Sequence, residues 1–216
     1  CAADAKLLWR ADSGFDSAKS IRRSGPERSV IQPKASCRSA YSMRSDPKRA
    51  MKIGITGVRG VVGQTLTPEL VVRFAEAFGS YLDGGRVLVC RDPRPSGPMV
   101  QAAVTAGLLS VGCEVVDLGV CPTPSLQLGV PWLGAKGGVS ITGGHNPPEW
   151  NALKFVGGDG LFLSAARGRE LLDIYHQGDY AKAKGADQRT PERVADAVER
   201  HVRAAVEGAG SLPAAR

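Results

Sequence analysis

The chain has 216 residues, of which 43% are hydrophobic and 23% charged, proportions typical of a globular protein with one good-sized domain. Its net charge of +7 does not indicate a nucleic-acid-binding surface, because residues 1–50 hold 11 basic and 5 acidic residues whereas residues 51–216 hold 17 and 16. No apolar run approaches the roughly 20 residues of a membrane span, so neither a nucleic acid nor a membrane is expected as a partner.

The five cysteines show no CxxC spacing and predict neither a disulfide framework nor a zinc site. Cys90 and Cys113 stand in apolar, strand-like runs, where a buried free thiol is expected. This use of cysteine fits a reducing cytoplasm.

Residues 1–50 are predicted to form a disordered basic extension, because nine serines, scattered Lys and Arg and few large apolar residues cannot close a core. The chain starts at Cys1, and the first regular pattern starts at Met51. An upstream translation or fragment artefact, an organellar transit peptide and an unexplained extension are the alternatives. A separate hypothesis is that this extension binds an acidic partner.

Strand and helix patterns alternate from residue 51 onward. A strand over residues 51–56 leads into a glycine-flanked loop with Arg59, whose planar guanidinium suits a phosphate. Thr67 and Pro68 predict the start of a helix that ends near Gly84. The later predicted elements are strands over 86–90, 113–118 and 139–142, and helices from Ser96 to Gly112, near 125–130, over 164–177 and from Thr190 to Gly208.

This alternation predicts an α/β layered domain over residues 51–186, followed by a helix and tail over residues 187–216. The crossover connections place the loops with Arg59, Arg91 and His145 at strand ends, where the ligands of such sheets gather.

The stretch Gly137–Phe155, GGVSITGGHNPPEWNALKF, carries the strongest functional signal. Gly143 and Gly144 allow a close backbone approach, and Pro147 and Pro148 stiffen the exit from the loop. The loop presents an imidazole, a carboxamide, an ammonium group and backbone N–H groups at a strand end. Such a set of donors suits an anionic oxygen ligand, above all a phosphate.

This stretch resembles the active-site loop of the α-D-phosphohexomutases, the phosphoglucomutase/phosphomannomutase family, whose pattern is roughly T-A-S-H-N-P-P-x-(Y/W)-N-(G/A)-x-K. The matching residues are Thr142, His145, Asn146, Pro147, Pro148, Trp150, Asn151 and Lys154. The segments GVRG at 57–60 and RDPRPSG at 91–97 resemble two further family segments in the same order. The resemblance implies the family's first domain, a three-layer α/β/α domain with a mixed, mostly parallel sheet.

The resemblance also implies roles for individual residues. Those implied in catalysis are Gly144 (at the position of the family's phosphorylated serine), His145, Arg59 and Lys154, and those implied in phosphate or substrate binding are Asn146, Thr142, Arg91 and Arg94. A structural role in supporting the loop is the other interpretation of the RDPRPSG segment. Gly144 has no oxygen to phosphorylate, and Thr142 or Ser140 would need a shifted register to replace the serine.

The family reaction moves a phosphoryl group between O6 and O1 of a hexose phosphate, with hexose 1,6-bisphosphate as intermediate and Mg²⁺ as cofactor. The family's Mg²⁺ ligands lie in a DGDxDR-type loop of a second domain, and no D-x-D-x-D run occurs in this sequence. We therefore expect no metal site in this chain.

The sequence thus indicates a fragment of a phosphohexomutase-type enzyme, of the phosphoglucosamine or phosphomannose type. The remaining domains are expected on the C-terminal side, and the chain alone is expected to be inactive. The alternative is a diverged homologue that binds a sugar phosphate or a partner without phosphoryl transfer, because it lacks the serine at position 144.

Overall fold

The computed structural model describes residues 52–54 and 57–209, so the extension predicted over residues 1–50 lies outside the described residues. The elements are β1 (Lys52–Gly54), β2 (Gly57–Val61), α1 (Pro68–Tyr81), β3 (Gly85–Arg91), α2 (Gly97–Ser110), β4 (Cys113–Val120), α3 (Thr123–Trp132), β5 (Gly137–Ile141), β6 (Trp150–Gly157), α4 (Ala165–Gln177), a 3-10 turn (Gly185–Asp187), β7 (Glu192–Arg193) and α5 (Ala197–Ala209). None of the described helices has the length and apolarity needed to cross a bilayer.

The strands form one mixed sheet in the order β1-β2-β6-β5-β3-β4-β7. β5, β3, β4 and β7 pair in parallel, and β1, β2, β6 and β5 pair antiparallel. The sheet is therefore mixed as predicted, but its two kinds of pairing are balanced instead of mostly parallel. The connection between β5 and β6 is too short for a crossover helix, so β6 has to return antiparallel to β5.

Different helices cover the two faces of the sheet. Along β3, Val87 and Val89 pack with α1, α2 and α4, whereas Leu88 and Cys90 pack with α3 and α5. Successive side chains of a strand point to opposite faces, so burial on both faces produces the continuous apolar run of this strand. The α/β/α class predicted from the sequence is confirmed.

An aromatic cluster joins the sheet to the helices on the first of these faces. The ring of Phe74 stacks on that of Tyr175 with 4.0 Å between centroids, which joins α1 to α4. Phe78, one turn further along α1, lies 4.8 Å from the ring of Phe155 on β6. These large, fully or nearly fully buried rings hold β6 in place, and β6 carries part of the candidate site described below.

The helix start and stop signals of the sequence mostly act as predicted. The hydroxyl of Thr67 accepts the Leu70 N–H at the start of α1, and Ser164 accepts the Arg167 N–H at the start of α4. Ser96 stands at the N-cap position of α2, but its hydroxyl makes no cap bond there. It accepts instead a hydrogen bond of 3.0 Å from Nδ2 of Asn151 on β6.

Two local predictions are wrong. Arg59 lies within strand β2, not in a loop. The helix predicted from Thr190 starts only at Ala197, because the chain first runs extended as β7 beside β4. The N–H of Val194 donates to the Asp117 carbonyl at 2.9 Å. This pairing satisfies backbone groups at the edge of β4, and it outweighs the helix-start signature of Thr190, Pro191 and Glu192.

Cys90, Cys113 and Cys121 are free and buried, which confirms the buried thiols predicted at the first two positions. Burial raises the pKa of the Cys113 thiol to about 11. The pKa of Cys90 also lies well above its usual value, because its thiol hydrogen-bonds with Cys121 and is fully buried.

Candidate functional site

A cavity of about 240 Å³ opens where β1, β2 and β6 meet residues 142–149, the connection after β5 that we call the HNPP loop. The polar and charged side chains that line this basic cavity are Lys52, Arg59, Thr142, His145, Asn146 and Lys154. Gly144 also lines it. The structure thus brings together six of the eight residues singled out in the sequence, and it leaves Arg91 and Arg94 outside the lining.

The strand register places three cations on one face of the sheet. Lys52 of β1 lies directly opposite Arg59 of β2, and Lys154 of β6 lies opposite Gly57 of β2. Arg59 in turn lies opposite Ala152, two residues before Lys154. Directly opposite residues, and residues two apart on one strand, share a face of the sheet, so the three cationic side chains surround a floor of small residues.

That floor depends on Gly57. A Cβ atom at this position would lie 1.8 Å from the carbonyl oxygen of Leu153, and its φ of +137° lies in the region that favours glycine. The close approach of β2 to β6 therefore requires the absence of a side chain at position 57. Beside it, Ala152 adds only a methyl group, which leaves the space between Arg59 and Lys154 open.

The charges of this cavity are unbalanced. Among the described residues, the lining includes no carboxylate, and none of Lys52, Arg59 and Lys154 makes an ion pair. The ammonium group of Lys52 lies 6.0 Å from the centre of the Trp150 ring, and that of Lys154 lies 5.9 Å from the Phe162 ring. An anion is the ligand that such a lining suits.

The HNPP loop is held in shape from outside by one guanidinium group. Arg94 uses all five of its N–H groups on protein acceptors, which are Oδ2 of Asp92 (3.1 Å) and the carbonyl oxygens of Pro147 (2.7 Å), Trp150 (3.1 Å), Gly144 (2.9 Å) and Asn146 (2.7 Å). No N–H of Arg94 remains for a phosphate. Of the two interpretations that the sequence left open for this segment, the contacts of Arg94 support loop positioning.

Arg91 has a similar structural position. Its Nε donates to Oε1 of Gln101 at 2.9 Å, and its Nη1 donates to the Asp92 carbonyl at 3.3 Å. These bonds tie the end of β3 to helix α2. A direct contact of Arg91 with a ligand in the basic cavity gains no support from this geometry.

Bonds within the loop complete its conformation. Asp92 accepts the Gly143 N–H at 3.0 Å, and the Thr142 hydroxyl accepts the Gly144 N–H at 3.1 Å. The side-chain amide of Asn146 donates to the Gly143 carbonyl at 2.6 Å. One of the two N–H donors of the Asn146 amide is therefore occupied within the loop, and the Thr142 hydroxyl keeps its own proton to donate.

The two glycines of the loop differ in what they require. A Cβ atom at Gly143 would lie 2.4 Å from the guanidinium carbon of Arg94, so this position has to be glycine for Arg94 to reach the loop. Gly144 is exposed and has a φ of +56°, but a Cβ atom there would meet nothing within 4 Å. The space that the family's phosphorylated serine would occupy is thus open.

Lys52 was not identified from the sequence. Only residues 55 and 56 separate β1 from β2, and a two-residue hairpin at this point would have placed Lys52 opposite Arg59. Asp92 belongs to the RDPRPSG segment, and the sequence does not single it out. Its contact with the N–H of Gly143 follows from the parallel pairing of β3 with β5, which the sequence does not specify in register.

No group of three or more His, Cys, Asp or Glu side chains suited to a metal ion occurs within residues 52–54 and 57–209. Mg²⁺ prefers oxygen ligands with negative charge, and the cations lining the basic cavity would repel it. The described residues therefore do not fit the Mg²⁺ that the resemblance implies.

Comparison with known proteins agrees with the fold. The family profile described as phosphoglucomutase/phosphomannomutase, alpha/beta/alpha domain I, matches residues 50–182. A probable phosphoglucosamine mutase of Thermococcus kodakarensis is 40% identical over 153 residues, which cover 71% of this chain and 34% of that protein. A phosphoglucosamine/phosphogalactosamine mutase of Sulfurisphaera tokodaii is 45% identical over 123 residues, covering 56% of this chain and 27% of that protein.

Solved structures give the same result. A putative phosphomannomutase from Thermus thermophilus superposes with a TM-score of 0.62 at 29% identity, over 72% of this chain and 36% of that one. A phosphoglucomutase/phosphomannomutase family protein from Burkholderia thailandensis superposes with a TM-score of 0.61 at 26% identity, over 71% of this chain and 35% of that one. The chain spans about a third of the length of the relatives it matches.

Proposed function

Because the chain belongs to the phosphoglucomutase/phosphomannomutase family, whose α/β/α domain I it contains, we propose that it acts in a phosphohexomutase-type protein on the 6- and 1-phosphates of a hexose or aminohexose. Relatives named as phosphoglucosamine mutases favour an aminohexose, with a phosphomannose substrate as the alternative. The observation that carries the proposal is the basic cavity, in which the HNPP loop faces Arg59 and Lys154.

Each lining side chain has a role that its chemistry suits. Phosphoryl transfer spreads negative charge over three oxygens, so catalysis depends on positioning and charge stabilisation. The planar guanidinium of Arg59 can bind two of these oxygens, while Lys154 supplies a point charge near the reacting sugar hydroxyl. His145, exposed on the loop, is in a position to orient the phosphoryl group or exchange a proton with that hydroxyl.

A second candidate function is favoured by Gly144. This residue has no hydroxyl group, so the phosphoryl carrier of the family is absent at this position. A homologue that binds sugar phosphates without transferring the phosphoryl group is consistent with an intact cavity and a missing acceptor. The two candidates share the ligand and differ in the chemical step.

Calorimetric titration of the full 216-residue chain with glucosamine 6-phosphate and mannose 6-phosphate tests the sugar-phosphate binding that both candidates require. We expect saturable binding of at least one ester and none of unphosphorylated glucosamine. Arg59→Gln should weaken binding by about tenfold, the size of one charge-assisted hydrogen bond. The matched control Arg189→Gln, whose residue pairs with Glu114 away from the cavity, should leave binding unchanged. Failure of the folded chain to bind any sugar phosphate would contradict the proposal.

Introducing the missing hydroxyl separates the two candidates. Gly144→Ser is incubated with hexose 1,6-bisphosphate, and phosphopeptide mass spectrometry shows whether the new hydroxyl gains a phosphoryl group. Transfer to this variant but not to the original chain would show that the lining still supports the chemical step. Binding without transfer would favour the non-catalytic candidate. Gly144→Ala is the control, because it adds the same Cβ atom without the oxygen.

A further inference from the structure

Like charges face each other across the β1–β2 pair. Lys52 lies directly opposite Arg59, and Lys154 shares their face on the next strand. Directly opposite residues in antiparallel strands have Cβ atoms about 5 Å apart, and like charges there destabilise a sheet. Among the described residues, no carboxylate in the lining offsets this repulsion. An anion bound between the three side chains would remove it.

The same place has room for that anion. Gly54 and Gly57 face each other on β1 and β2, and Ala152 lies beside them on β6. On the loop side, a Cβ atom at Gly144 would meet nothing within 4 Å. The cavity of about 240 Å³ accommodates a tetrahedral phosphate and part of the group that it esterifies.

We propose that Lys52 is a third cationic ligand, in addition to Arg59 and Lys154, of a phosphate group that binds non-covalently beside Gly144. The occupant is a phosphate dianion, either inorganic phosphate or one end of a phosphate ester. No covalent bond forms or breaks, so the occupant exchanges with solution. The inference rests on the proposed function, because it states what the same site does when residue 144 has no hydroxyl.

Lys52 suits this role by its position and its chemistry. Its strand lies on the far side of β2 from Lys154, so its ammonium group approaches the cavity from the side opposite to Lys154. The group lies 6.0 Å from the Trp150 ring, which is on the same sheet face and at the limit of cation–π attraction. The flexible side chain of a lysine can adjust to the position of an exchangeable anion, whereas the planar guanidinium of Arg59 fixes the orientation of the anion.

The first test places a negative charge in the space beside Gly144. Asp and Asn are the side chains that best tolerate positive φ, so Gly144→Asp and Gly144→Asn form a matched pair that differs in one charge. Inorganic phosphate is titrated into the full chain by calorimetry. The original chain should bind it most tightly and Gly144→Asn more weakly, because the added side chain takes up space, whereas Gly144→Asp should not bind it, because its carboxylate also repels the phosphate. Equal binding by the two variants would overturn the proposal.

The second test removes the added cation. Lys52→Gln should weaken inorganic phosphate binding by about tenfold. The control Lys184→Gln removes the same charge from an exposed residue outside the cavity and should have no effect. Unchanged affinity in Lys52→Gln would overturn the role of Lys52. Near-ultraviolet circular dichroism confirms that each variant is folded.

A third titration, with glucosamine 6-phosphate in competition, separates this inference from the proposed function. Competition between the ester and inorganic phosphate is the expected result. If the ester binds but the substitutions at positions 52 and 144 change nothing, the inference fails and the proposed function stands. If inorganic phosphate binds as expected but no sugar phosphate does, the proposed function fails instead. Absence of both kinds of binding in the folded chain overturns both.

Discussion

Arg94 and Asp92 form an ion pair, with 3.1 Å between Nε and Oδ2, through which the end of β3 holds the HNPP loop. Both side chains are mostly buried, at 15% and 19% exposure. Asp92 also accepts the Gly143 N–H, and the other four N–H groups of Arg94 bind loop carbonyls or that of Trp150. The shape of the loop is therefore set from the connection between β3 and α2, not by the loop sequence alone.

Arg94→Lys should destabilise the domain by about 1–3 kcal/mol, because lysine has too few donors for five acceptors and leaves the partly buried carbonyls of Asn146 and Trp150 short of a partner. Urea denaturation followed by circular dichroism measures the change. The control Arg200→Lys alters an exposed pair with Asp196 and should stay within about 0.5 kcal/mol of the original chain. A loss below about 1 kcal/mol in Arg94→Lys would show that the loop keeps its shape without the guanidinium.

Gly57→Ala should be among the most damaging single substitutions in the domain. Its Cβ atom would lie 1.8 Å from the Leu153 carbonyl oxygen, so β2 has to move away from β6 and the floor of the cavity is lost. We expect a loss of at least about 3 kcal/mol and no phosphate-ester binding. Thermal unfolding and calorimetry measure both. Gly185→Ala is the control, because a Cβ atom there meets nothing within 4 Å, and its melting temperature should stay close to that of the original chain. Similar melting temperatures of the two variants would contradict the expectation.

The sequence predicts the layers and the loop well because both depend on local patterns. The apolar run of β3 and the caps at Thr67 and Ser164 act over a few residues, and the HNPP motif is continuous in the chain. The helix start predicted at Thr190 failed for the opposite reason. There a local cap signature competes with backbone pairing to β4, a partner more than 70 residues earlier in the chain.

The parts of the site that sequence reasoning missed depend on register. Lys52 and Arg59 are seven residues apart, and nothing in either segment alone states that they face each other. Four of the five contacts of Arg94 likewise depend on how the chain after β3 meets residues 50 to 56 positions later. The sequence therefore identifies which residue types are present, while the pairing of strands decides which of them remain available to a ligand.

The buried thiol of Cys113 predicts a loss of stability at alkaline pH. Burial raises its pKa to about 11 in the folded chain, above the usual value of about 8.5 that applies after unfolding. The thiol of the unfolded state therefore loses its proton first as pH rises. Between these two pKa values the free energy of unfolding falls as the pH increases. From pH 8 to pH 10 the original chain should lose about 1–2 kcal/mol more than Cys113→Ala, which lacks the thiol.

Urea denaturation at intervals of half a pH unit gives the two profiles. The alanine variant should be less stable throughout, because it leaves a small cavity, but this offset does not depend on pH. The other titrating groups are common to both chains and cancel in the difference. Parallel profiles between pH 8 and pH 10 would show that the thiol ionises as readily in the folded chain as in the unfolded one.

The like-charged face of β1, β2 and β6 predicts that binding and stability oppose each other at the site. Lys154→Gln removes one of three neighbouring cations, so the chain without ligand should gain about 0.5 kcal/mol of stability at low salt. Salt screens the repulsion, and the gain should vanish at about 1 M NaCl, where the Debye length is about 3 Å.

With glucosamine 6-phosphate the order should reverse. A ligand at 100 times its Kd stabilises the original chain by about 2.7 kcal/mol, and the variant should gain less at the same concentration because it binds more weakly. Thermal unfolding is measured with and without the ester at two salt concentrations, which gives four conditions for each chain. Lys184→Gln is the matched control. A destabilised Lys154→Gln chain at low salt without ligand would mean that the stem of Lys154, beside the Phe162 ring, contributes more by packing than its charge costs.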